Sequence, residues 1–211
     1  MLRGVGILAM SLGMALPAGA AGSEPAATGG VVTAVTIRAA RLVDIPPAAG
    51  DAAPETVRAI FRDSGIEVVW RECASPLVRN APPLDACSDL LGPAEVVVRF
   101  VPAPATAPPE SLGFSYVVDG AGIARLASVY PDRVARHAEW AAMSLPALLG
   151  RVIAHEVGHL LLGTRHSRDG LMRARWSIPD LLRQRSWGFS IEEAAAMRRA
   201  LQAVAAAARA S

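Results

Sequence analysis

The sequence predicts an α+β domain, and three observations carry that expectation. Short runs rich in Val, Ile and Thr recur between residues 31 and 129, separated by Pro and Gly. A long apolar stretch with helical periodicity follows Ser144, and a second helical pattern runs from Ser190 to the end. Strands with one early helix, then helices, is the element order of an α+β domain. At 211 residues, 52% hydrophobic and 19% charged, the chain has material for one domain with a substantial core and is no disordered tail.

Before the domain comes an export signal. Arg3 supplies a positive start, Val5 to Leu16 an apolar run, and Pro17 to Ala20 small residues of the A-x-A kind. The run is shorter than the ~20 residues of a membrane span, so residues 1–20 are expected to be cleaved, leaving no stable membrane anchor. Residues 21–30 read as a flexible lead-in and 31–211 as the domain, secreted or periplasmic in a bacterium and monomeric. All basic residues are Arg, and losing Arg3 from 21 leaves 20 against 19 acids, a net +1. That balance gives no pull toward nucleic acid. In an oxidising compartment Cys73 and Cys87 pair most simply as a disulfide, worth roughly 3 kcal/mol by loop closure.

Val31 to Val43 reads as the first strand, ended by Pro46, Pro47 and Gly50. Pro54 to Arg62 places Val57, Ile60 and Phe61 on one helical face. Ile66 to Trp70 and Glu95 to Val101 are further strands, and the four prolines of Pro102 to Pro109 mark a surface connection. Leu112 to Val118 and Ile123 to Val129 flank Asp119-Gly120-Ala121-Gly122, a hairpin signal. His137 lies in a stretch, Asp132 to Glu139, that reads as exposed. Ser144 caps a buried helix that stops at Gly163, and Ser190 with Glu193 has capping-box spacing for the last helix.

The buried helix carries His155, Glu156 and His159. Residues four apart lie about 40° apart around a helix, so both imidazoles leave one face and suit two ligands of a tetrahedral Zn²⁺. A catalytic zinc lowers the pKa of a water toward ~7, and Glu156 can accept the proton without being a ligand. Two His and a Glu buried in so apolar a helix are costly unless something pairs with them. Gly158 gives up roughly 1 kcal/mol of helix propensity, yet lets another segment approach closely. His166 on a continued helix would lie about 10 Å along the axis from His159. A turn at Gly163 can instead bring His166 back as third ligand, leaving a fourth position open. The alternatives are Glu192 or Glu193, which a capped first turn also explains, and Asp169, which reads as part of a turn.

His155, Glu156, His159, Gly163, His166, Ser167 and Gly170-Leu171-Met172 together resemble the metzincin clan of zinc metalloproteases, most nearly its matrixin-type branch. The resemblance implies a mixed, mostly parallel twisted sheet, an active-site helix, a C-terminal helix, and Met172 as a Met-turn beneath the zinc. The usual motif has two residues before the Gly, whereas Leu160 to Leu162 make three here. The turn must therefore differ in detail.

The function these readings imply is zinc-dependent endopeptidase action on peptide or protein substrates, with one Zn²⁺. A substrate would pair with an edge strand, either Leu112 to Val118 or Ile123 to Val129. Tyr130 and Arg168 are candidates for stabilising the oxyanion. The alternative is an exported domain that binds zinc and cleaves nothing.

Overall fold

The computed structural model describes residues 33–73, 87–118, 122–182 and 187–210. The segments read as an export signal and a lead-in, and residues 119–121 of the hairpin connection, lie outside them. β1 (Ala34–Arg41) leads through α1 (Pro47–Asp63) to β2 (Glu67–Glu72), then β3 (Glu95–Phe100), β4 (Gly113–Tyr116) and β5 (Leu126–Val129). Four helices follow: α2 (Pro131–Trp140), α3 (Leu145–Leu162), α4 (Ile178–Leu182) and α5 (Ile191–Ala210). The sheet order is β2-β1-β3-β5-β4, with every neighbouring pair parallel except the antiparallel β4–β5. This is the α+β domain that the sequence predicted, with the mixed, mostly parallel sheet that the resemblance implied.

Period-2 alternation sends Val35, Ile37 and Ala39 of β1, and Val96, Val98 and Phe100 of β3, into one core. α3 lies against β3, β4 and β5 and also packs on α1 and α5. It is buried nearly all round, from Leu148 to Leu161, which explains its uniformly apolar composition. The disulfide Cys73–Cys87 is formed, with Cα atoms 5.4 Å apart. Beyond it the chain wraps the buried Arg38, whose guanidinium donates to the carbonyl of Asp89 at 2.7 Å and pairs with Glu95.

Two helices depart from the sequence reading. α1 starts at Pro47 rather than Pro54, because its first turn buries only the small residues Ala49, Gly50 and Ala53 and so carries no apolar periodicity. Pro54 sits inside it. A proline there deprives the carbonyl four residues earlier of its helical donor, and Arg41 Nη2 donates to that Gly50 carbonyl instead, at 3.2 Å. α2 forms where no element was expected. Pro131 opens it, where a missing N–H costs nothing. Its inner face includes Arg133, which donates to the Ser111 carbonyl at 3.1 Å and thereby ties down the proline-rich connection.

Candidate metal centre

α3 ends where Gly163 takes φ 89°, and the following segment folds back over the helix. Ser167 N donates to the Met172 carbonyl at 2.8 Å, and residues 167 and 173 form a β-bridge. This return places His166 beside the helix that it could not have reached by continuing it. His159 Nε2 lies 3.1 Å from His155 Nε2 and 3.2 Å from His166 Nε2, and the three candidate ligand nitrogens fall within 4.8 Å of one another.

The other ring nitrogens settle what these contacts are. His155 Nδ1 is 2.8 Å from the Leu171 carbonyl, and His159 Nδ1 is 2.9 Å from the Gly163 carbonyl. A carbonyl only accepts, so both Nδ1 atoms carry hydrogen and, in the neutral rings, both Nε2 atoms present bare lone pairs to each other. Two acceptors at 3.1 Å repel unless a cation sits between them. Three nitrogens around a tetrahedral Zn²⁺ at 2.0–2.1 Å would stand about 3.3 Å apart. The residues present fit such an ion, and the carbonyls orient the rings as outer partners of zinc-binding histidines do.

Electrostatics agree with the geometry. Burial lowers the pKa of His155 to about 4 and shifts that of His159 downward as well, so both are neutral and free to ligate at neutral pH. Burial raises Glu156 to about 7, against the pull of a hydrogen bond from Ser115. Ser115 Oγ lies 2.7 Å from Glu156 Oε2 and 2.8 Å from the Glu156 carbonyl oxygen. Glu156 Oε1 has no partner among the described residues. A Cβ on Gly113 would fall 2.6 Å from that oxygen, so only glycine leaves the carboxylate its place.

The acidic alternatives are engaged elsewhere. Glu193 Oε2 accepts from Ser190 N at 2.7 Å while Ser190 Oγ accepts from Glu193 N at 3.2 Å, the reciprocal capping box. Its other oxygen accepts from Ser167 Oγ, which braces the segment next to His166. Glu192 accepts from Ser190 Oγ at 2.9 Å, and Asp169 is exposed in the turn before Gly170.

Met172 is buried against the zinc-side helix, and Gly158 is what admits it. A Cβ at position 158 would meet Met172 Sδ at 2.6 Å and Phe189 Cε1 at 2.8 Å. Gly158→Ala is therefore expected to lose about 1 kcal/mol of stability in denaturant titration, because overpacking of 1–3 kcal/mol outweighs the helix-propensity gain. A stabilised variant would mean that the two side chains yield freely.

A cavity of about 740 Å³ opens over the cluster, lined by His155, Glu156, His159 and His166 together with β4 and the segment from Arg173 to Trp176. Of the two strands considered for substrate, β4 is the sheet edge and reaches the cavity, whereas β5 is enclosed between β3 and β4. Tyr130 and Arg168 do not line it. Tyr130 is buried, its ring 5.5 Å from the Arg133 guanidinium carbon, and Arg168 is exposed. His137, expected to be an exposed residue, is half-buried and lines the cavity, because the unforeseen α2 turns it inward. Gly113, Ser115 and His137 are the site residues that sequence reasoning missed. The alternation of Gly113 and Ser115 shows that they share a strand face, but nothing local says which helix that face meets.

Fold and cluster together define an α+β domain with a mostly parallel sheet and three histidines that could hold one zinc ion. No family model matches the chain, and no curated protein is similar to it in sequence. Among solved structures it is similar to archaemetzincin from Methanopyrus kandleri, with a TM-score of 0.51 at 16% identity over 81% of this chain and 97% of the other. At that identity the likeness is one of fold.

Proposed function

We propose that this chain is a zinc-dependent endopeptidase exported by a bacterium, with His155, His159 and His166 holding one Zn²⁺ and Glu156 as general base. Glu156 is the observation that carries the reading. It is buried beside the three nitrogens, steadied on one oxygen by Ser115, with the other left open. A purely structural ion has no use for a carboxylate kept that way. When bound, the ion supplies Lewis acidity that polarises a carbonyl and makes water nucleophilic near neutral pH.

The chain's own residues supply the rest. Glu156 Oε1 takes a proton from the attacking water and returns it to the leaving amine. β4 offers its unpaired edge to an extended peptide, which binds by backbone hydrogen bonds. Residues 1–20 direct export to the periplasm or medium, and the mature protein acts as a monomer on peptides or proteins.

The test is cleavage of a mixed peptide library by purified residues 21–211. Three samples are compared: metal-loaded, chelator-stripped and stripped protein with zinc restored. Products are expected in the first and third only. A protein that binds one zinc and leaves every peptide intact is the non-catalytic alternative.

A further inference from the structure

One imidazole on the cavity wall takes no part in the metal cluster. We propose that His137 is a specificity-determining residue, selecting substrates that place a tyrosine side chain against its part of the cavity wall. The proposal rests on the proteolytic reading of the site.

His137 stands in the last turn of α2, and the short link 141–144 joins that turn to the start of α3. It lines the cavity together with Val152 from the first half of α3. Val152 precedes His155 by about one helical turn. Leu112, Trp176 and Leu181 line the same cavity and make part of its wall apolar.

The ring's hydrogen bonding determines what it can recognise. His137 Nδ1 lies 3.0 Å from the Arg133 carbonyl, so Nδ1 carries hydrogen and Nε2 is an acceptor in the neutral ring. Trp140 packs against the ring at 5.2 Å and limits its rotation. Nε2 has no partner among the described residues. The two arginines on these walls are already paired, Arg173 with Asp180 and Arg175 with Glu110. An acceptor on a cavity wall that also carries apolar side chains asks for a donor on a flat apolar body. The phenol of tyrosine supplies both, whereas phenylalanine fills the walls and leaves Nε2 unpaired.

The experiment uses two zinc-anchoring peptide hydroxamates, identical except for a Tyr or a Phe side chain beside the hydroxamate. Their affinities are measured on zinc-loaded wild type, His137→Leu and His137→Phe. Wild type is expected to prefer the Tyr compound by about tenfold. Both variants should bind the two alike while keeping wild-type zinc affinity. A wild-type preference below about threefold, failure of both compounds to bind, or a preference that survives in a folded variant overturns the proposal. If neither variant folds, the 15N shift of His137 Nε2 in wild type decides: it should move with the Tyr compound and not with the Phe one, and equal shifts overturn the proposal. A protein that prefers the Tyr hydroxamate yet cleaves no library peptide keeps the pocket assignment and loses the protease reading.

Discussion

Glu156→Gln is expected to lower kcat by about 100- to 10,000-fold while one zinc per chain is retained, the range attributed to a positioned acid–base group. Glutamine keeps the shape and can still accept from Ser115, so the space beside Gly113 stays filled. What disappears is basicity at Oε1. The same change should stabilise the metal-free protein, in a pH-dependent way. Burial raises Glu156 from 4.5 to about 7, so its share of stability is fully present below pH 4.5 and is lost as pH rises through 7. Glutamine does not titrate. The stability difference between variant and wild type should thus grow from near zero at pH 4.5 to about 3 kcal/mol above pH 7. Denaturant titrations across that range check it, and a difference independent of pH would show that the carboxylate is not desolvated. Cleavage at the wild-type rate by the glutamine variant would remove Glu156 as the base.

His159→Ala is expected to weaken zinc binding by more than about 100-fold, beyond the 10- to 100-fold attached to outer hydrogen-bond partners of a metal site. His159 is the middle of the cluster: its Nε2 lies within 3.2 Å of both other Nε2 atoms, so its loss leaves no adjoining pair. The consequence extends to stability. A ligand at 1,000 times its dissociation constant adds about 4 kcal/mol to the folded state, so zinc should raise the melting temperature of wild type strongly and that of the variant barely. Competition with a chromogenic chelator gives the affinity, and thermal scans with and without zinc give the linkage. Equal zinc affinity in variant and wild type would exclude His159 as a ligand. The same pair of measurements on His166→Ala tests the third ligand, which stands on an exposed return segment and not on α3.

The elements differ in how far they were legible. α3 was read with its ends in place, because Ser144, Pro146 and Gly163 are local signals and its burial shows as continuous apolar composition. α5 was legible for the same reason, its capping box lying within four consecutive residues. α1 was half visible. The turn before Pro54 buries small residues, and the carbonyl that the proline strands accepts from Arg41 of β1 instead. α2 was not visible, since a helix that buries Arg133 against distant loop carbonyls has little apolar pattern to show.

The sequence by itself determined that two imidazoles and a carboxylate leave one helix together, because that follows from a period of about 3.6 residues and needs no other part of the chain. It also determined that Gly163 could end the helix, since few residues other than glycine readily take a positive φ. Tertiary structure alone decided what completes the group. His166 joins the cluster through a turn whose carbonyl bonds and β-bridge depend on residues 167–173 folding back. Ser115 and Gly113 meet Glu156, and His137 enters the cavity wall, because β4 and α2 are packed beside α3. Contacts of that kind join residues far apart in the chain, and no local periodicity encodes them.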